Sequence, residues 1–149
     1  MSRPQFVKAS IDHLSLLLHL EDQLFEATDR FSRRQFKYLI ESRNVLTLLC
    51  FQDGQSLGYG IALKNRLRNG KVKGRIYSLG VVKKGRRKGL GSKLLRALER
   101  WLIEEGAEFI TLETRLGRNP AFYEKRGYKG TARLARYYGR APGLRMRKK

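Results

Sequence analysis

Apolar residues recur along the chain at two spacings, and each change of spacing marks an element. Ile11, Leu14, Leu17, Leu18 and Phe25 fall at helical intervals, with Glu21 and Asp22 on the polar side. This predicts a helix that ends near Ala27. A second helix starts at Ser32, where Ser32-x-x-Gln35 forms a capping box and Phe36, Leu39 and Ile40 form an apolar stripe. Residues 45–52 read as a strand, Asp53-Gly54 as a hairpin turn, and residues 57–63 as the returning strand. Asn69-Gly70 suggests a further hairpin leading into an apolar, β-branched run at 76–82. Three antiparallel strands are thus expected before a polar stretch at 83–92. From Leu90 a long helix follows, with Leu90, Leu94, Leu95, Leu98, Trp101 and Leu102 on one face and Lys93, Arg96, Glu99 and Arg100 on the other. Residues 109–113 form the next strand. A helical crossover links it to the 76–82 strand, so the two are expected to run parallel. Residues 119–126 form a short helix with Asn119 at its N-cap and Pro120 behind it. Gly127 ends that helix, and Tyr128 opens another strand. No repeat, linker or low-complexity segment interrupts the pattern, which predicts one domain over residues 1–149.

The stretch Lys83-Lys84-Gly85-Arg86-Arg87-Lys88-Gly89-Leu90-Gly91-Ser92 is the candidate for chemistry. A helix N-terminus leaves backbone N–H groups without partners and carries partial positive charge. Glycines let a ligand approach that backbone, and five cations in six residues add a positive field. A strand-to-helix turn whose charges simply face water is the alternative. The Walker loop fails, because Leu90 stands where its second glycine belongs. The dinucleotide fingerprint fails at its third glycine, which is Leu94 here.

The remaining pattern, Arg86-x-x-Gly89-x-Gly91 preceded by Leu79-Gly80-Val81, resembles the acetyl-CoA signature Q/R-x-x-G-x-G/A of the GCN5-related N-acetyltransferase (GNAT) family. Asn119-Pro120-Ala121-Phe122-Tyr123-Glu124-Lys125-Arg126-Gly127-Tyr128 resembles that family's second signature. Tyr137-Tyr138-Gly139 and the early Leu24-Phe25…Asp29…Phe31-Ser32 are similar to the branch that acetylates the N-terminal alanine of ribosomal proteins. The resemblance runs from about residue 4 to 148 and implies an α/β fold. That fold is a mixed, mostly antiparallel sheet with helices on both faces, splayed between the strands ending at Val82 and Glu113.

The resemblance further implies an acetyl-CoA-dependent N-acetyltransferase acting on a primary amine, either a protein or peptide N-terminus or a lysine. Leu79, Gly80 and Val81 would lie along the pantetheine arm. Arg86, Arg87, Lys88, Gly89, Leu90, Gly91 and Ser92 would hold the pyrophosphate, and Asn119 would add a contact. Such a transfer needs a base for the amine, donors for the thioester oxyanion and an acid for the departing thiolate. Glu113 is the candidate base, the Val81 N–H the oxyanion donor and Tyr123 the acid. By the same resemblance Phe31, Tyr137 and Tyr138 would grip the acceptor.

Composition narrows the remaining options. The net charge of +20 attracts polyanions, so a ribosome or RNA partner joins acetyl-CoA and the acceptor among the expectations. No stretch approaches a membrane span, and residues 1–10 lack an apolar signal core, which leads to a cytoplasmic expectation. The single cysteine, Cys50, sits in an apolar strand and reads as core. His13 and His19 lack companions at ligand spacing, so no metal is expected. Gly54-Gln55-Ser56-Leu57-Gly58 matches a hydrolase nucleophile elbow, but it lies between strands and no His follows it. Two other readings stay open: a small-molecule amine as acceptor, or a non-enzymatic basic RNA-binding module on the same fold. The second has no aromatic RNA-recognition signature behind it.

Overall fold

The computed structural model describes residues 3–24, 30–115, 119–138 and 141–149. In chain order the elements are β1 (Gln5–Lys8), α1 (Leu14–Leu24), α2 (Arg33–Glu41), β2 (Val45–Gln52), β3 (Gln55–Arg66) and β4 (Val72–Val81). They continue as α3 (Leu90–Glu104), β5 (Ala107–Arg115), α4 (Asn119–Glu124), β6 (Lys129–Tyr138) and β7 (Ala141–Lys148). All seven strands join one sheet in the order β1-β2-β3-β4-β5-β7-β6. Among the described residues, only β4 and β5 pair in parallel, as expected of strands joined by a helical crossover.

The capping box at Ser32 is present. The Gln35 amide donates to Ser32 Oγ at 3.1 Å, and the Ser32 amide donates to Gln35 Oε1 at 2.7 Å. Asp53 and Gly54 both take positive φ, the signature of a tight hairpin turn. Four strands, not three, precede the basic stretch. The missed one, β1, has four residues at the sheet edge, too few for a clear alternation of burial. β4 is also longer than expected, starting at Val72, because its early residues mix cations and glycine among the apolar ones. The predicted end of α1 near Ala27 lies outside the described residues.

Two cores sandwich the sheet. α1 and α2 bury Leu17, Leu20, Phe36 and Leu39 on one face. On the other, α3 buries Leu94, Leu95, Leu98 and Leu102, each almost fully hidden and contributing about 1.5–3 kcal/mol. α3 lies close to the sheet because β3 presents Gly60 beneath it. A Cβ at Gly60 would stand 2.7 Å from Leu98 Cδ1. A side chain at residue 60 would therefore push α3 off the sheet.

Candidate active site

β4 and β5 pair from Val72↔Ala107 to Ile76↔Leu112 and then part. Beyond the fork, β4 keeps only its β3 side, through Ser78↔Ile61, Leu79↔Gly60, Gly80↔Tyr59 and Val81↔Gly58. The other edge of Leu79, Gly80 and Val81 opens into a cleft. Val82 donates its amide to the Leu57 carbonyl across β3 at 2.8 Å. Backbone groups alternate along a strand, so Val81 turns its own N–H the other way, into the cleft.

At the end of β4 the chain makes a short 3-10 turn, Lys83–Gly85, and then enters α3 through Arg87 and Gly89, both with positive φ. Gly89 is the N-cap at φ 74°, and no side chain caps the helix. The first amides of α3 therefore lack intrahelical partners. A Cβ on Gly89 would meet nothing within 4 Å, so the approach to these amides is open. Lys83, Lys84, Arg86, Arg87 and Lys88 are all exposed around it. An anionic group such as a pyrophosphate fits this arrangement. Leu90 and Ser92 offer it their backbone only: the Leu90 side chain is core, and the Ser92 hydroxyl accepts from Arg126 Nε at 3.1 Å. Arg86 folds back, donating from Nε to the Val81 carbonyl at 2.9 Å.

Glu113 is the first β5 residue past the fork. It is not a solvated strand-end charge: its side chain is only 14% exposed, and Arg75 Nη2 and Arg145 Nη2 lie 2.5 Å and 3.3 Å from its oxygens. Arg145 comes from the paired position on β7. Tyr123 packs with the α3-side core, edge-on to Phe122 at 5.1 Å and to Tyr128 at 5.8 Å. Arg75 stacks over Tyr77, which packs with the α1–α2 core. Glu113, through Arg75 and Tyr77, thus faces the α1–α2 side of the sheet, and Tyr123 the α3 side.

On the Glu113 side a cavity of about 570 Å³ is lined by Phe31, Arg34, Tyr38, Arg75 and Tyr77, among others. Phe31 is thus part of the lining of this cavity. Tyr137 and Tyr138 lie in the backbone of β6, and Asn119 opens α4, but these three side chains fall outside the described residues.

Several residues that brace these groups were given no role by the sequence. Arg75 and Arg145 are recognisable only once strand register brings them to Glu113. Arg126 braces α4 against the start of α3: besides Ser92, it donates from Nη1 to the Phe122 carbonyl at 2.7 Å and stacks over the Phe122 ring at 3.8 Å. A cation at the end of a short helix was the available clue. Tyr128 is buried and donates to Glu99 Oε2 at 2.7 Å, and burial first, with Glu99 second, lifts its phenol far above the ordinary range. It remains a donor at every working pH.

Glu21, placed on the polar side of its helix by sequence, is in fact 1% exposed. Burial raises its carboxyl from 4.5 to about 7, against the pull of the Phe31 amide and Arg30, with a smaller upward push from Asp22. The folded chain holds this proton more tightly than the unfolded one. The group's contribution to stability is therefore complete below about pH 4.5 and is lost as pH rises through about 7. At 1.36 kcal/mol per unit the loss is about 3 kcal/mol. Glu21→Gln has no such slope. In denaturant titrations it is expected to gain about 3 kcal/mol on the parent between about pH 4 and about pH 8. A constant difference across that range would contradict the burial argument.

Among the described residues, no group of three His, Cys, Asp or Glu side chains could hold a metal, and no helix is long and apolar enough to cross a membrane.

The comparisons with known proteins agree with the geometry. The chain is 30% identical over 128 residues to the N-alpha-acetyltransferase MAK3 of Arabidopsis thaliana, covering 85% of this chain and 66% of that protein. Its fold matches that of Arabidopsis thaliana Naa50 in complex with the bisubstrate analogue CoA-Ac-MVNAL, with a TM-score of 0.84, 21% identity and 98% of each chain covered. It also matches the ribosomal-protein-S18-alanine N-acetyltransferase from Escherichia coli, with a TM-score of 0.80, 20% identity, and 98% of this chain and 93% of that one covered. Residues 14–128 match the profile of the acetyltransferase (GNAT) family, so this chain belongs to that family and is an acyltransferase.

Proposed function

We propose that the chain transfers an acetyl group from acetyl-CoA to the α-amino group of a protein or peptide. The observation that carries this reading is the fork after Ile76↔Leu112. It sets an open Val81 amide beside an uncapped glycine helix start on one face and, on the other, a half-buried carboxylate whose partner Arg75 lines a cavity with Phe31, Tyr38 and Tyr77. The N-alpha-acetyltransferase relative and the neighbour solved with a CoA–peptide analogue support both halves of it.

Acetyl-CoA, when bound, supplies an activated thioester. The α3 amides and the exposed cations of residues 83–88 hold its phosphates. Val81 N–H donates to the carbonyl oxygen as it gains negative charge during attack. Glu113 accepts the proton of the attacking ammonium, directly or through a water, so that the nitrogen lone pair can form the new C–N bond. Arg75 and Arg145 orient that carboxylate. Tyr123 gives its phenolic proton to the thiolate as the C–S bond breaks; the nitrogen's second proton, lost as the amide forms, restores the phenol, and the proton taken by Glu113 returns to solvent.

The first test is calorimetric titration with acetyl-CoA, using ATP as the control polyanion. Stoichiometric binding of acetyl-CoA that ATP does not match is expected. Equal, salt-sensitive binding of both would reduce the loop to a basic patch. Mass spectrometry of a peptide with a free N-terminus, against the same peptide blocked at its N-terminus but carrying lysine, then separates α-amino from lysine transfer. Glu113→Gln is expected to lower turnover of the free peptide by about 10²-fold or more while acetyl-CoA affinity stays near the parent value. Full turnover in that variant would remove Glu113 from the reaction.

A further inference from the structure

The buried carboxyl of Glu21 is not among the residues lining the cavity, yet its bonds reach the cavity wall. Glu21 Oε2 accepts the Phe31 amide at 2.6 Å, tying α1 to the residue two before α2. Glu21 Oε1 accepts the hydroxyl of Tyr59, a fully buried β3 residue whose oxygen also lies 3.2 Å from Ser78 Oγ on β4. One carboxylate thus joins three parts of the acceptor side.

The Phe31 ring carries the constraint onward. Its centroid lies 5.3 Å from that of Phe36 and 5.3 Å from that of Tyr77. Tyr77 in turn lies under the Arg75 guanidinium, at 4.9 Å, and Arg75 holds Glu113. Phe31, Arg75 and Tyr77 all line the cavity. Tyr77 is also an unpaired extra residue in β4, since Ile61 faces Ser78 and Ala62 faces Ile76. The bulge turns both Tyr77 and Ser78 toward the α1–α2 face, where Ser78 can reach Tyr59.

We propose that Glu21 is a positioning residue for the acceptor: its two hydrogen bonds fix the Phe31 wall and the β4 bulge, and it touches neither substrate. The kinetic consequence rests on the acetyl-transfer reading above. Ionised, the carboxylate accepts from both Phe31 and Tyr59. Protonated, it donates to Tyr59, which turns its own proton to Ser78, and the Phe31 amide is left with a neutral acceptor. Charge-assisted hydrogen bonds are roughly twice as strong as neutral ones, so the wall is held more firmly in the ionised form. The charged and titratable groups facing Glu21 are Asp22 from α1, Arg30 from the approach to α2 and Tyr59 from β3. Asp22 and Arg30 pair with each other at 3.2 Å.

The test compares the parent, Glu21→Ala and Glu21→Gln by amide hydrogen exchange at Phe31, acceptor KM and acetyl-CoA Kd. In the Ala variant, exchange at Phe31 and acceptor KM are each expected to rise about tenfold, with acetyl-CoA Kd unchanged within about twofold. Gln can accept from Phe31 and donate to Tyr59, so it is expected to restore both values. The parent-to-Gln ratio of acceptor kcat/KM, which cancels the acceptor's own titration, is expected to change between about pH 6 and about pH 8. Unchanged Phe31 exchange in the Ala variant would overturn the proposal. So would a parallel rise of acceptor KM and acetyl-CoA Kd, or a flat pH ratio for the Gln variant. If the parent acetylates no peptide, the transfer reading fails by itself, and the exchange result still decides the clamp.

Discussion

Tyr123→Phe is expected to lower acetyl transfer by roughly 10²- to 10⁴-fold, the usual span for losing a positioned general acid. Its ring is held edge-on between Phe122 and Tyr128, and Arg126 fixes α4 to the start of α3. Phenylalanine fills the same space, so fold and acetyl-CoA affinity should survive. Steady-state turnover measured beside calorimetric acetyl-CoA binding separates the two effects. A variant with parental turnover would show that the thiolate leaves without help from this hydroxyl. A variant with weakened acetyl-CoA binding would place the hydroxyl in ground-state recognition.

Gly89→Glu is expected to abolish measurable acetyl-CoA binding. Position 89 takes φ 74° at the uncapped start of α3, with open space in front of it. A glutamate there brings a carboxylate to amides that would hold phosphate. Losing two charge-assisted hydrogen bonds at about 1.5–3 kcal/mol each weakens Kd by roughly 10²- to 10⁴-fold. Gly89→Ala is the control, carrying only the left-handed strain of about 1–2 kcal/mol. If Glu and Ala lower affinity equally, backbone strain explains the loss and the anion site does not. Parental affinity in the Glu variant would remove this turn from cofactor binding.

Local signals were legible where chemistry is local. The capping box at Ser32, the Asp53-Gly54 turn and the leucine stripe of α3 each need only a few neighbouring residues, and each formed as read. The glycine pattern at 85–91 was legible for the same reason, because a turn and a helix start are made by consecutive residues. The support of Glu113 was not. Arg75 and Arg145 lie far from it in sequence and reach it only through strand pairing that no periodicity encodes. Glu21 was misread outright as a polar-side residue, since helical periodicity assigns faces by hydropathy. A buried carboxyl with two hydrogen-bond partners looks, in sequence, like one facing water.

Tyr77 has a consequence for anyone who recombines this sheet with that of a relative. A strand counts its faces in twos, and the extra residue resets the count between Ile76 and Ser78. Upstream of it, Gly74 and Ile76 answer to α3; downstream, Leu79 does, with Gly80 turned toward Leu24 of α1. A crossover point placed anywhere in β4 must therefore conserve parity as well as sequence. A chimera that drops Tyr77 would deliver every later β4 side chain to the wrong side of the molecule, though each substituted residue looked conservative by itself.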